Sequence, residues 1–256
     1  MKIVVVGGTG LIGAKLVTLL RLDNHNVVSA SPSTGVSTIT SEGLAQALSG
    51  AEIVVDVSNS PSLKKNAALA FFEISGRNLL AAEAAAGVRH HVVLSVVGTN
   101  RLPENGYFRA KMAQENLVRA SNAPFTILRS APFFEYINGI VEAHADGDTL
   151  RVSPAYVQPI AADDVALALR DVVLGRAQNG EIEVVGPDRF RLSDLAREIL
   201  AANEDPRPVI ADAEALYFGA VLQENTLKPD DRARIAPTRF EDWLRRAIAE
   251  TLTPAF

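Results

Sequence analysis

The sequence predicts an α/β chain: a doubly wound parallel sheet with a smaller α+β region toward its C-terminus. Three observations predict it. The first twenty residues read as strand, glycine turn and helix in immediate succession. Short apolar, β-branched runs recur at residues 3–6, 53–57 and 91–94, each of a length suited to a buried parallel strand. The chain is 256 residues long and 48% hydrophobic, ample for one large core.

The bulk numbers exclude several classes of function. A net charge of -5 and a pI near 5.5 give no basic footprint for nucleic acid or an anionic membrane. There is no cysteine, which removes disulfides, thiolate catalysis and cysteine metal sites. Four histidines without clustered spacing argue against zinc, so no metal is expected. The N-terminus leads from one lysine and a short apolar run directly into glycines, unlike a signal peptide. No apolar run reaches the roughly eighteen residues that a membrane span needs. The expectation is a cytoplasmic monomer or homodimer acting on a small molecule.

The first twenty residues organise the rest. Residues 3–6 are a strand, and Gly7, Gly8, Thr9, Gly10, Leu11, Ile12 and Gly13 lead into a helix with Leu16, Val17, Leu19 and Leu20 on its apolar side. A pyrophosphate can sit on a helix N-terminus only where backbone N–H groups face it and no side chain intervenes. Gly7 is expected to make the tight turn, Gly10 to admit the phosphates, and Gly13 to let helix and strand approach closely. A second strand follows at residues 27–30. An acid about twenty positions past the glycines is the usual partner of an NAD ribose. Here the stretch is Ser29-Ala30-Ser31-Pro32-Ser33-Thr34, with no carboxylate to repel a 2′-phosphate and no arginine. Ser31 and Ser33 are candidate donors to that phosphate, so the cofactor expected is NADP, with NAD left open.

Residues 36–40 alternate as a third strand would, and residues 42–48 read as a short helix ended by Gly50. Residues 53–57 form the next strand. Val57, Ser58 and Asn59 leave its carboxyl end, where a dinucleotide lies in this architecture. An alanine-rich helix spans residues 67–86 and stops at Gly87. The strand at residues 91–94 closes on Ser95. His90 and His91 stand at its start, away from the expected site, and are expected to be structural.

A second constellation lies at residues 95–119. Tyr107 and Lys111 are four apart on a helix running to about residue 120, which puts both on one face. A phenol with a pKa of about 10 is a poor proton shuttle at neutral pH. A nearby ammonium favours the phenolate, so Tyr107 could pass a proton to or from a carbonyl oxygen. Lys111 could also hold ribose hydroxyls, and Ser95 could orient the carbonyl.

The Gly-Gly-Thr-Gly-Leu-Ile-Gly run and the order Ser95, Tyr107, Lys111 resemble the short-chain dehydrogenase/reductase superfamily. The short loop before Tyr107, the run from Phe125 through Ser130-Ala131-Pro132-Phe133-Phe134-Glu135, and Pro159-Ile160-Ala161-Ala162-Asp163-Asp164-Val165-Ala166 look most like its atypical NmrA-like NAD(P)H-binding branch. The similarity spans roughly residues 1–175. It implies a Rossmann fold, NADP or NAD binding, and often reduction of a carbonyl, quinone or activated double bond. Some members lack the tyrosine and act as redox sensors, whereas this chain keeps Tyr107 and Lys111. Many relatives carry two consecutive serines, the second catalytic. Here the segment is Leu94-Ser95-Val96-Val97, so Ser95 aligns with the first, Thr99 is the alternative, and the role itself stays open.

The expected division is a single NAD(P)-binding domain with a Rossmann core at residues 1–130 and a substrate-side part at 131–256. Phe133 and Phe134 follow the strand at 124–129 and are candidates for an apolar substrate wall. Further helices are expected at 136–143, interrupted by Gly139, at 165–174 capped by Asp163 and Asp164, at 194–203 capped by Ser193, and at 213–222 and 240–251. Two further strands are expected at 150–152 and 181–185. The leading expectation is an NADP-preferring oxidoreductase. A non-catalytic dinucleotide sensor and a cofactor-retaining isomerase or epimerase are the alternatives.

Overall fold

The computed structural model describes residues 1–62 and 65–252. Its helices and strands alternate from the N-terminus. They are β1 (Lys2–Val6), α1 (Leu11–Leu22), β2 (Asn26–Ala30), α2 (Leu44–Leu48), β3 (Ile53–Asp56), α3 (Lys65–Ala86), β4 (His90–Val96), α4 (Gly106–Ala120) and β5 (Phe125–Ser130). There follow α5 (Phe134–Glu142), β6 (Ala145–Asp146), β7 (Thr149–Val152), β8 (Tyr156–Val157), α6 (Ala162–Leu174), β9 (Gly180–Val185), β10 (Phe190–Arg191) and α7 (Leu192–Ala202). The chain ends with β11 (Val209–Ala211), β12 (Leu216–Tyr217), β13 (Ala220–Val221), β14 (Arg234–Ile235) and α8 (Phe240–Leu252).

The central sheet has seven strands in the order β14-β9-β5-β4-β3-β1-β2. β1 pairs in parallel with β2 on one side and β3 on the other, with Val5 opposite Ser29 and Val55. The strand order reverses there, and the crevice at such a reversal is where a doubly wound sheet takes its ligand. Strands covered on both faces must be apolar throughout, and Ile3, Val4 and Val5 are fully buried. This is the Rossmann-type architecture. No helix of the described residues is long and apolar enough to cross a membrane.

The chain divides into two compact units, residues 1–129 with 165–182, and residues 130–164 with 183–256. The segment 165–182 belongs with the first unit. In unit 1, α1 buries Leu16, Val17 and Leu20, and a core of Val4, Val6, Leu44, Leu48, Val54 and Leu79 packs behind the sheet. Arg170 forks onto Asp23 with 2.5 and 2.8 Å hydrogen bonds. In unit 2, the rings of Phe134, Phe240 and Trp243 pack together, with Phe190 edge-on to Phe240.

Several elements differ from the sequence expectation, each for a local reason. Residues 36–40 are not a strand. A reciprocal Ser31–Thr34 capping box closes a short 3₁₀ turn at Pro32–Thr34, and Gly35 follows at φ +78°. The Asn78 amide then donates to the carbonyls of Thr38 and Ile39 at 2.8 and 3.1 Å, satisfying groups that a strand would have paired. Residues 213–222 are not a helix but the hairpin β12–β13, turned at Phe218 and Gly219, both at positive φ. α5 runs through Gly139 without a break. α7 starts at Leu192, before Ser193, because β10 pairs with β8 up to Arg191 and the helix follows immediately. Asp163 and Asp164 lie inside the first turn of α6, and Asp164 accepts from the Thr238 backbone N–H at 3.1 Å.

Candidate cofactor and catalytic site

The glycine turn lies at the carboxyl end of β1, beside the loop that leaves β3. Gly7 has φ +79°, and a β-carbon on it would fall 2.8 Å from the Ser58 nitrogen. A β-carbon on Gly13 would fall 2.1 Å from the Gly7 carbonyl oxygen, so this glycine holds α1 against the turn. Gly8 is constrained as well, because its β-carbon would meet Ser29 Oγ at 2.5 Å and the Val5 carbonyl oxygen at 2.7 Å. Gly10 differs. A β-carbon there would have only the Gly7 oxygen near it, at an ordinary 3.4 Å. The fold therefore does not demand glycine at position 10, and the space above the helix end stays open.

Gly10 is also the N-cap of α1, in extended conformation and with no side chain capping the helix. The N–H groups at Leu11, Ile12 and Gly13 thus face an uncapped helix N-terminus, the ordinary setting for a phosphate. Thr9 and Gly10 are exposed, and Leu11 is half-buried. This cradle fits a dinucleotide pyrophosphate. Val57 and Ser58 are half-buried and Asn59 exposed. The structure brings Ser58 onto Gly7, as the strand order requires.

At the end of β2, Ser31 is buried and Ser33 exposed, with their hydroxyl oxygens 2.9 Å apart. Ser31 spends its backbone N–H on Thr34 Oγ1 at 2.9 Å, and its burial leaves Ser33 the more accessible of the two hydroxyls.

α4 positions the second constellation. Asn105 caps it, its side-chain oxygen accepting from the N–H groups of Tyr107 and Phe108 at 2.9 and 3.1 Å. Tyr107 is half-buried, its ring centroid 6.3 Å from that of Phe72 on α3. Lys111, one turn on, places Nζ 4.5 Å from the same Phe72 ring. The Lys111 ammonium is 3% exposed and donates to the Leu94 carbonyl at 2.7 Å and to Gln114 Oε1 at 2.5 Å. Gln114 Nε2 donates in turn to Asp56 Oδ2 at 2.8 Å. Asp56 Oδ1 accepts from the backbone N–H and the hydroxyl of Ser58, at 2.9 and 2.6 Å. One buried polar chain therefore runs from Lys111 through Gln114 and Asp56 to the residue against Gly7. Burial pushes the Lys111 ammonium down to about 8, against the charges of Asp56 and Glu115, which hold it up.

Sequence reasoning passed over Gln114 and Asp56. Asp56 was legible as the one acid at the carboxyl end of an otherwise apolar strand. Nothing in the sequence singles out Gln114, whose role depends on which helix face meets β3.

The Ser95 hydroxyl, expected to orient a carbonyl, is engaged within the fold. Ser95 is 1% exposed, and its hydroxyl donates to Glu115 Oε1 at 2.6 Å. Glu115 is fully buried and takes a fork from Arg129 at 2.9 and 2.7 Å, with Arg119 at 2.9 Å. Burial works against the Glu115 carboxylate, but hydrogen bonds from Arg129 and Ser95 and the arginine charges hold it below the usual range. Thr99 is also buried and donates to the Val96 carbonyl. Neither hydroxyl is free to meet a substrate in this arrangement.

In unit 2, Phe134 is 2% exposed inside the Phe240 and Trp243 cluster, so it is core and not a wall open to substrate. Phe133 is half-buried, its ring 5.6 Å from Tyr136. His90 and His91 are buried and make contacts within the fold. His90 Nε2 lies 2.9 Å from Thr126 Oγ1, and His91 Nδ1 lies 2.8 Å from Glu83.

The model of an NAD(P)H-binding family matches residues 7–174, more than half of the chain. No curated protein matches the sequence. Solved structures share the fold. A dTDP-4-dehydrorhamnose reductase from Clostridium acetobutylicum superposes with a TM-score of 0.71 at 18% identity, covering 98% of this chain and 100% of its own. MoeE5 in complex with UDP-glucose and NAD gives 0.76 at 18% identity, covering 99% and 100%. A UDP-N-acetylglucosamine 4-epimerase from Bacillus cereus gives 0.70 at 17% identity, covering 100% and 99%.

Proposed function

Because the chain belongs to this NAD(P)H-binding family, we propose that it is an oxidoreductase that prefers NADP(H) and reduces a small carbonyl, quinone or enone. The observation that carries the reading is the convergence of Tyr107 and Lys111 on Phe72, with Lys111 linked through Gln114 and Asp56 to the loop against Gly7. NADPH would supply the hydride. The backbone N–H groups at Leu11, Ile12 and Gly13 would hold its pyrophosphate, and Ser33 with Ser31 its 2′-phosphate. Tyr107 would deliver the proton to the substrate oxygen. Lys111, its buried ammonium held by the Leu94 carbonyl and Gln114 and so not placed to hold ribose hydroxyls, would favour the phenolate that remains.

The experiment is NADPH oxidation over a panel of ketones, quinones and enones, with Tyr107→Phe as control. Turnover of at least one class, lost in the variant, supports the reading. Silence across the panel with intact NADPH binding rejects it.

A second reading is a nucleotide receptor without turnover. The commitment of the Ser95 hydroxyl to Glu115 favours it, because it removes the group expected to orient a carbonyl. It predicts affinities that differ between the reduced and oxidised cofactor, and no consumption of either.

A further inference from the structure

Asp56 ends β3 as a buried carboxylate, 2% exposed, and three donors converge on it. Oδ1 accepts from the Ser58 backbone N–H at 2.9 Å and from the Ser58 hydroxyl at 2.6 Å. Oδ2 accepts from Gln114 Nε2 at 2.8 Å. The Gln114 amide is buried, and its oxygen accepts from Lys111 Nζ at 2.5 Å. The two ends of this chain meet different things. At one end, Ser58 packs against Gly7 so closely that a β-carbon on the glycine has no room. At the other, Lys111 stands one helical turn from Tyr107 on α4.

Among the described residues, the Lys111 ammonium meets no carboxylate directly. Its two acceptors, the Leu94 carbonyl of β4 and Gln114 Oε1, are neutral, and α3 presents it only the Phe72 ring. A buried charge without a contacting counter-ion depends on the negative charge that reaches it through polarised hydrogen bonds. Asp56 supplies that charge through the Gln114 amide, and Glu115 on α4 adds to it. The other titratable groups of this region are Tyr107 and the His91 imidazole of β4, which pairs with Glu83 on α3 and also interacts with the Asp56 charge.

The Ser58 hydroxyl has one proton to donate, and here it goes to Asp56. Ser58 is half-buried just past the carboxyl end of β3, where a doubly wound sheet takes its ligand. A dinucleotide there offers the hydroxyl a competing acceptor. Once the hydroxyl turns away, Asp56 keeps two of its three donors, and its charge falls more heavily on Gln114 and Lys111.

We propose that Ser58 and Asp56 link the cofactor to the proton on Lys111: a dinucleotide that draws the Ser58 hydroxyl off Asp56 tightens the hold of Lys111 on its proton. Asp56 is a positioning residue in this scheme and acts on Lys111 through Gln114. Linkage is reciprocal, so the same coupling makes the cofactor bind more tightly while Lys111 is charged. The inference rests on the reading above in placing the dinucleotide at the glycine turn, but it needs no turnover.

The test is titration calorimetry of the full chain with NADPH just above the Lys111 value of about 8, in buffers of different ionisation enthalpy, which counts the protons taken up per cofactor bound. Carbon-13 NMR of lysine-labelled protein, with the Lys111 signal assigned by its loss in Lys111→Met, follows the same group with neither cofactor nor substrate added. The wild type should take up about a quarter to half of a proton, the yield of a shift of about half to one unit. Ser58→Ala should raise the Lys111 midpoint by about half a unit, the scale of one redistributed hydrogen bond, and should cut the uptake to less than about half of the wild-type count. Ser58→Thr, which keeps a hydroxyl, should restore both. The inference is overturned by NADPH binding without proton uptake, by uptake that survives Ser58→Ala in full, or by an unmoved Lys111 midpoint in that variant. Failure to bind NADPH at all overturns both this inference and the redox reading, whereas silence over the substrate panel rejects the redox reading alone.

Discussion

Ser95 Oγ donates to Glu115 Oε1 at 2.6 Å, and both groups are buried. A hydroxyl so placed supports a buried carboxylate that Arg129 and Arg119 also hold. Ser95→Ala should therefore lower stability by about 1 kcal/mol, the usual net worth of one hydrogen bond, because Glu115 keeps its arginines. The rate of NADPH oxidation should stay within about twofold of wild type, a margin set against the far larger losses that follow removal of a catalytic group. Urea denaturation and steady-state kinetics check both halves.

Tyr107→Phe should lower kcat by a factor of about 10² to 10⁴, the range that general acid catalysis contributes. The phenyl ring keeps its packing on Phe72, so NADPH affinity and the thermal midpoint should hold. Parallel loss of affinity would assign Tyr107 to binding instead.

The last two glycines of the turn, Gly10 and Gly13, should separate fold from binding. Gly13→Ala forces a β-carbon to 2.1 Å from the Gly7 oxygen and should cost about 3 kcal/mol or more, in the range of overpacked sites. Gly10→Ala meets nothing closer than 3.4 Å and should cost about 1 kcal/mol or less, through the poorer N-cap, while weakening NADPH binding by tenfold or more. Chemical denaturation with and without NADPH distinguishes the two.

Lys111 carries a pH signature. Burial brings its ammonium down to about 8, so turnover that depends on the charge should fall as pH rises past 8. Gln114→Leu removes an acceptor of that ammonium and should move the limb to lower pH, by about one unit for a charged hydrogen bond. The folded value lies below the unfolded one. The native state thus binds fewer protons between about pH 8 and 10.5 and gains stability across that window; Lys111→Met should flatten the gain. A pH–rate profile and pH-dependent melting report the two effects.

His90 and His91 should behave oppositely despite adjacency. Burial, with the charge of His91, lowers His90 to about 4. Stability tied to neutral His90 is complete above about pH 6.5 and drains away as pH falls through 4. For His91, burial pulls downward, but the charge and hydrogen bond of Glu83, together with Asp56, raise it. Its stabilisation is present below about pH 6.5 and is lost as pH rises through the raised value. His90→Gln should reduce the acid-side loss by up to about 3 kcal/mol, of the order that a shift from 6.5 to about 4 implies. Melting curves between pH 4 and 7 check it.

The sequence by itself determined the frame of this protein. The glycine turn, the buried strands β1, β3, β4 and β5, and the helices between them were legible because each rests on a local rule: an apolar run, a helical period or a glycine stop. Tyr107 and Lys111 were legible as a pair because four residues make one helical turn. What failed was set by distant partners. The Asn78 amide, forty residues away, keeps 36–40 out of a strand. Ser95 went to Glu115 and Phe134 went to the core because those assignments depend on which faces of α4, α8 and β4 meet their neighbours. The Lys111–Gln114–Asp56 chain belongs to the same class. Charge and hydrogen bonding act over a few ångströms, and only tertiary packing brings residues far apart in sequence within that range.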